Sequence, residues 1–202
     1  MALAESGTPS ATLACMFPLR APPLSLRAME PEDAAAVQAS RTHPDNVRYQ
    51  GWRPPTVAEV VDHARRQDPA SVGRAVGTVQ VVLLEDGAFV GDFGICTTHP
   101  LPTVDLGVTL APGQRGRGLA IRGARMLLDG LFAGGVHRVA AVVDPRNAPS
   151  LRLFERLGFR REAHAIASYY DELYDEWADE VSFAMLRSDW VATAHTIERG
   201  SR

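Results

Sequence analysis

Val108-Thr109-Leu110-Ala111-Pro112-Gly113-Gln114-Arg115-Gly116-Arg117-Gly118-Leu119-Ala120 runs from an apolar strand through a glycine-rich turn into a helix. Gly116 and Gly118 leave the turn without side chains, so consecutive backbone N–H groups can converge on one point while the new helix directs its positive end there. Local spacing admits two readings: a plain strand–helix turn needing residues tolerant of positive φ, and a phosphate site. The loop lacks the Gly-Lys-Ser/Thr of a P-loop, and no acidic residue stands at the distance expected for a ribose contact, which disfavours ATP and NAD.

Working outward, Thr103 to Leu110 reads as the strand that delivers the chain to this loop. After it, Ala120, Ala124, Leu127, Leu128 and Leu131 form one stripe of a helix that stops at Gly134-Gly135. His137 to Val143 is a short apolar strand; if it is parallel to the strand before the loop, the helix between them is its crossover. Asn147 is placed to cap a helix that buries Leu151, Phe154 and Leu157 and ends at Gly158. Phe159 to Ser168 and Glu180 to Arg187 supply the last two strands, with Val181, Phe183 and Met185 on one face.

Toward the N-terminus, Leu24 to Met29 alternates as a first strand, and Pro31 suits the first turn of a helix through about Ser40. Thr56-Val57-Ala58-Glu59 has capping-box spacing and opens a helix with Val57, Val60, Val61 and Ala64 on one face. Thr78 to Glu85 and Ala88 to Thr97 flank Asp86-Gly87, a pair suited to a type I′ hairpin. The order is β-α-α-β-β-β-α-β-α-β-β, an α/β chain without an internal repeat. Residues 1–22, rich in Ala, Ser, Thr and Pro, are expected to be a mobile tail, 23–190 one domain, and 191–202 a loose C-terminal tail.

Arg115 to Ala120 resembles the Arg/Gln-x-x-Gly-x-Gly/Ala pyrophosphate loop of the GNAT superfamily of N-acetyltransferases. Asn147-Ala148-Pro149-Ser150-Leu151-Arg152-Leu153-Phe154-Glu155-Arg156-Leu157-Gly158-Phe159 is similar to its second signature, an Asn, a Ser three later and a closing Leu-Gly-Phe. Trp177 to Trp190 is similar to the last strand of the branch that includes ribosomal-protein N-terminal acetyltransferases. The resemblance covers residues 23 to 190. It implies a single domain around a mixed, mostly antiparallel twisted sheet with flanking helices, in which the strand before the loop and the strand after the crossover splay apart. It also implies acetyl-CoA as co-substrate without a metal, and direct attack by a primary amine without a covalent enzyme intermediate. The pyrophosphate would lie against Arg115, Gly116, Arg117, Gly118, Leu119 and Ala120, and the pantetheine arm along Val108, Thr109 and Leu110 with Asn147 holding it.

A free alkyl amine has a pKa of about 10 and is protonated at neutral pH, so something must take a proton before attack. Asp105 occupies a position where relatives of this shape carry a base-like Glu and would work through a water; the alternative is a solvated strand-edge carboxylate. Relatives often carry a Tyr seven residues after the Asn as proton donor to the departing thiolate, and here that position is Phe154. Ser150 is the candidate for bonding the sulfur, although Ser150 and Asn147 can equally serve only the helix start. By the same resemblance Tyr49, Trp52 and Arg53 are candidate acceptor contacts, although packing would equally explain Tyr49 and Trp52. Tyr169 and Tyr170 open a segment in which Asp171, Glu172, Asp175, Glu176, Asp179 and Glu180 alternate with aromatic residues, suited either to a cationic acceptor or to a solvated helix or loop. The acceptor is expected to be a cationic small molecule or a peptide or protein N-terminus. The rival class is a non-catalytic acyl-CoA-binding sensor or regulatory module, kept open by Phe154.

The chain has 202 residues, 46% of them apolar, and a net charge of −3, which supports one sizeable core and gives no basic footprint for nucleic acid. No apolar run approaches a membrane span. Cys15 and Cys96 stand apart without metal-ligand company, so neither a disulfide framework nor a zinc site is expected, and a reducing, cytoplasmic setting fits. Leu13-Ala14-Cys15 is faintly similar to a lipoprotein cleavage site, but no basic residue precedes it and the apolar run from Ala11 to Phe17 is short. A homodimer is compatible with such a domain, though no seam is visible.

Overall fold

A computed structural model of the chain describes residues 16–54 and 56–191. Its elements in order are β1 (Leu19–Ala21), β2 (Leu24–Ala28), α1 (Ala34–Thr42), α2 (Pro44–Val47), α3 (Val57–Arg66), β3 (Gly77–Glu85), β4 (Ala88–Thr97), β5 (Thr103–Leu110), α4 (Leu119–Ala133), β6 (Arg138–Val143), α5 (Ala148–Arg156), β7 (Arg160–Asp171) and β8 (Glu176–Leu186). The strands form one sheet in the order β1-β2-β3-β4-β5-β6-β8-β7. Neighbours are antiparallel except β5 and β6, which run parallel. Alternation along β3 sends Val81 and Leu83 into a large core with α4 and α5, and Val82 into a smaller one with α1 and α3. The helices therefore cover opposite faces of the sheet.

Local chemistry accounts for the boundaries. Asp86 and Gly87 have φ of 48° and 83°, the two positive values a type I′ hairpin requires. Thr56 accepts the Glu59 amide at 3.3 Å, and Asn147 accepts the Ser150 amide at 3.3 Å, each satisfying an otherwise orphaned helix donor. The α4 stripe of Ala124, Leu127, Leu128 and Leu131 is fully buried.

Two expectations change. The tail expected through residue 22 is structured from Met16. Leu19 to Ala21 pair with Leu26 to Leu24, Met16 is buried, and Leu19 packs so tightly on α4 that a Cβ at Gly130 would lie 2.9 Å from it. Residues 1–15 and 192–202, with the rest of the expected tails and the Leu13-Ala14-Cys15 stretch, lie outside the described residues. The acidic aromatic segment is neither helix nor open loop. Tyr169, Tyr170 and Asp171 pair with Ala178, Trp177 and Glu176, so it forms the end of the β7–β8 hairpin.

Candidate functional site

The parallel pairing of β5 with β6 lasts only three positions, Thr103, Val104 and Asp105 opposite Arg138, Val139 and Ala140. Beyond Asp105 the strands part, and from Leu106 onward β5 lines a cleft of about 820 Å³. The strand edge facing this cleft has no ladder partner from β6, so its backbone groups are open to an extended ligand. The crossover helix α4 connects the two strands, and its first turn stands after the end of β5.

At that end Gly113, Gly116 and Gly118 have φ of 80°, 78° and 74°, all in the left-handed region. Gly118 is the N-cap of α4 and has no capping side chain. A Cβ placed on Gly116 or Gly118 would meet nothing within 4 Å, so the glycines border open space. Positive φ without crowding is what a backbone anion cradle needs, and a bare helix N-terminus completes it. Gly116, Gly118, Leu119 and Ala120 line the cleft, as do Val108, Thr109 and Leu110 of β5 and Asn147 and Ser150 at the start of α5. The cradle, the unpaired strand edge and the cationic side chains nearby fit a phosphate-bearing ligand with an amide-containing arm.

The two loop arginines differ in role. Arg115 lines the cleft but donates to the Asp45 carbonyl at 2.8 Å and to the Asn46 side chain, while Asn46 donates to the Leu110 carbonyl at 3.0 Å. It thus ties the glycine loop to the 43–53 segment. Arg117 is turned outward, paired with Glu85 at 2.8 Å and with Gln114, and does not line the cleft. Arg152 and Arg156 on α5 do line the cleft, and they form no ion pair with a carboxylate among the described residues. Their i, i+4 spacing behind Asn147 puts them on one helix face, a signal available in the sequence.

Asp105 is half-buried at the last paired position, the apex of the splay, and is not itself part of the cleft lining. Burial raises its carboxyl pKa, and the charge of Arg138 opposes that rise. Phe154 is buried between Phe159 and Phe183, at ring separations of 5.1 and 5.9 Å, and holds α5 on the core. Tyr49 and Tyr169 line the cleft, but Trp52 and Tyr170 do not. Trp52 packs on the His63 ring at 4.9 Å and under the Arg41 guanidinium at 5.1 Å, and Tyr170 packs at a tilt against Trp177 while its hydroxyl donates to Asp175.

Opposite the cradle the cleft is bridged by charge. Arg53 makes a two-pronged pair with Asp171 at 3.1 and 2.8 Å, and Arg48 meets Glu176 at 2.8 Å with its guanidinium over the Tyr174 ring. The Arg53 hydrogen bonds hold the Asp171 carboxyl below its ordinary pKa. These contacts join the 43–53 segment to the β7–β8 hairpin across the mouth. Among the described residues, no group of three or more His, Cys, Asp and Glu is arranged to hold a metal, and no helix is long and apolar enough to cross a membrane.

Comparison with known proteins agrees with this arrangement. The profile described as an acetyltransferase (GNAT) domain matches residues 24–160. The N-acetyltransferase p20 of Bacillus licheniformis is 24% identical over 170 residues, which cover 83% of this chain and 94% of that protein. YnaD of Bacillus subtilis, also described as an N-acetyltransferase, is 26% identical over 114 residues, 54% of this chain and 64% of YnaD. Among solved structures, a GNAT acetyltransferase from Bacillus anthracis aligns with a TM-score of 0.72 at 24% identity, covering 85% and 99% of the two chains. A ribosomal-protein-S5-alanine acetyltransferase from Vibrio fischeri aligns with a TM-score of 0.72 at 18% identity, covering 86% and 98%. A mutant of the spermidine N-acetyltransferase SpeG from Vibrio cholerae aligns with a TM-score of 0.70 at 17% identity, covering 85% and 98%. With a splayed β5/β6 pair, a glycine cradle at the start of α4 and a family match over most of its length, the chain belongs to the GNAT acetyltransferase family, an acyltransferase family that uses acetyl-CoA and acts on amines.

Proposed function

We propose that the chain transfers acetyl from acetyl-CoA directly to a primary amine of a small cationic molecule. The observation that carries this reading is one continuous cleft lined by the glycine cradle and by the Arg53–Asp171 pair, with the Arg48–Glu176 pair beside it tying the same two segments together. A bridged mouth favours a small acceptor over a protein N-terminus, which needs an open groove. The similar likeness of the fold to a spermidine enzyme and to a ribosomal-protein enzyme, with TM-scores of 0.70 and 0.72, leaves the branch to the acceptor itself.

In this reading the amides after Gly116 and Gly118 hold the pyrophosphate, Arg152 and Arg156 add charge, and the unpaired edge of β5 receives the pantetheine arm. Acetyl-CoA supplies an already activated thioester. Asp105, at the apex of the splay, takes the proton of the incoming ammonium through a water. The neutral amine attacks the thioester carbonyl, the C–S bond breaks as the tetrahedral intermediate collapses, and the second nitrogen proton passes to the departing thiolate, whose conjugate acid has a pKa of about 8.5, while the Ser150 hydroxyl hydrogen-bonds the sulfur. Positioning of the two reactants supplies much of the rate.

The first test is thermal unfolding with acetyl-CoA and, as a phosphate control, ADP, followed by thiol release on a panel of amines and peptides. Ligand at about a hundred times its Kd adds about 2.7 kcal/mol and raises Tm by several degrees. Gly118→Val, which fills the cradle and strains a left-handed backbone, abolishes the shift. No thioester-specific shift in the native protein would overturn the reading; a shift with no thiol release from any amine would replace it with an acyl-CoA sensor. Turnover confined to peptide N-termini would refute the small-molecule acceptor.

A further inference from the structure

The acids that line the cleft are not equivalent. Asp144 is paired with Arg146, Asp171 with Arg53, Asp179 with His164 at 2.9 Å, and Asp45 lies 3.7 Å from His43. Glu180 also lines the cleft and is partly buried, yet among the described residues no cationic side chain stands within ion-pairing distance of it. The Ser168 hydroxyl donates to its Oε2 at 2.8 Å.

The backbone around Glu180 is shaped to hold that carboxylate. The β7–β8 register slips between Ala165 and Tyr169, so Ile166, Ala167 and Ser168 bulge out of the ladder. Ala167 sits at φ 46°, a strained value for a residue with a Cβ, and its amide is held by Asp179 Oδ1 at 2.9 Å. Such a bulge re-aims side chains, and here it brings Ser168 onto Glu180. Ladder register puts Asp105, Ala140 and Ala184 side by side, and alternation along β8 puts Ser182 and Glu180 on that same face. Glu180 and the apex of the splay therefore share one side of the sheet.

We infer that Glu180 is the acceptor-recognition carboxylate: it receives an ammonium group of a cationic amine, with Ser168 as the residue that positions it. The inference rests on the acetyltransferase reading. A carboxylate oriented by one neutral hydroxyl keeps lone pairs free for charge-assisted hydrogen bonds, whereas Asp144 and Asp171 are each paired with an arginine and Asp45 and Asp179 each stand beside a histidine.

Steady-state thiol release tests this with native protein, Glu180→Gln, Ser168→Ala and, as a charge-matched control on the outer strand, Glu162→Gln. Acceptors are a cationic diamine and a monoamine of equal length with a neutral tail. Glu180→Gln raises KM for the diamine about 10- to 100-fold, in line with loss of a charge-assisted hydrogen bond, while acetyl-CoA KM and its thermal shift stay unchanged. Ser168→Ala raises the same KM by a smaller factor, and Glu162→Gln leaves it unchanged. A diamine KM within twofold of native in Glu180→Gln, or an equal rise in acetyl-CoA KM, overturns the inference while leaving the acetyltransferase reading intact. Absence of an acetyl-CoA shift in the native protein would instead bring down that reading, and the inference with it.

Discussion

Replacing Asp92 by asparagine tests what holds α1 and the 43–53 segment against the sheet. Asp92 is fully buried, and the guanidinium of Arg41, itself 6% exposed, donates to its Oδ2 through both Nε, at 3.1 Å, and a terminal nitrogen. Arg41 also donates to Gln50 Oε1 at 3.0 Å, and Gln50 receives the Thr109 hydroxyl at 3.0 Å, so the pair ties α1 and the 43–53 segment to β5. An amide in place of the carboxylate would keep an acceptor oxygen for Arg41 but leave the guanidinium charge buried and uncompensated, a loss of about 3–5 kcal/mol when one partner of such a pair is removed. Asp92 Oδ1 already has no hydrogen-bond partner among the described residues, so an NH2 group at that position adds little further cost, and the effect belongs at the lower end, about 3 kcal/mol. For a domain of this size that is a fall in Tm of about 6–12 °C. Two-state urea unfolding and thermal scans measure it, and the double variant Arg41→Met/Asp92→Leu recovers most of the loss because neither charge remains. A single variant within about 1 kcal/mol of native would refute the argument, since it would mean that the buried guanidinium needs no counter-charge.

Arg152→Ala/Arg156→Ala lowers acetyl-CoA affinity about tenfold or more and flattens its dependence on salt, as titration calorimetry at two ionic strengths reads out. Asn147→Ala removes the α5 cap and costs about 1 kcal/mol by denaturant unfolding. Asp105→Asn lowers turnover most near neutral pH and abolishes the acid limb of the kcat/KM profile; in the native protein that limb lies above the ordinary carboxylate range because burial raises the Asp105 pKa. Hydrogen bonds from Arg138 and Arg160 hold Glu162 at about 2. Its folded-state pKa is depressed, so this contribution is complete above the unfolded value of about 4.3 and disappears as pH falls toward 2. The Tm difference between native protein and Glu162→Gln therefore closes over that range.

What the sequence made legible was local. The glycine loop, the Asn147 cap and the Asp86-Gly87 hairpin each depend on residues within a few positions, and the pattern of φ and caps follows them. Strand β1 could not be read, because Leu19 to Ala21 gain their order from pairing with β2 and from the gap that Gly130 leaves in α4. Arg117 follows the loop signature in sequence, yet Glu85 lies close enough to draw it away. The bridges at the mouth join residues 118 and 128 positions apart, and no spacing rule connects Arg53 to Asp171 or Arg48 to Glu176. Glu180 was one acid among six in the sequence, and it is distinguished by having neither an arginine nor a histidine in pairing distance among the described residues while it lines the cleft.

The two ends of the cleft are thus built by different physics. In the proposed reading the cofactor end is made of backbone: left-handed glycines, a bare helix N-terminus and a strand edge without a partner. The acceptor end of that reading is made of side-chain charges carried by the 43–53 segment and the β7–β8 hairpin, and Arg115 couples the 43–53 segment to the cradle through Asp45 and Asn46. An anion entering the cradle competes with those two acceptors for the Arg115 guanidinium. If that competition draws Arg115 away from Asn46, cofactor binding loosens the acceptor segment at one anchor while Arg53–Asp171 keeps the other. Arg115→Met separates these effects, because it removes the anchor without a ligand. Hydrogen exchange in residues 43–53 then rises in the free variant and no longer responds to acetyl-CoA, whereas an unchanged response would show that the loop and the acceptor segment are independent.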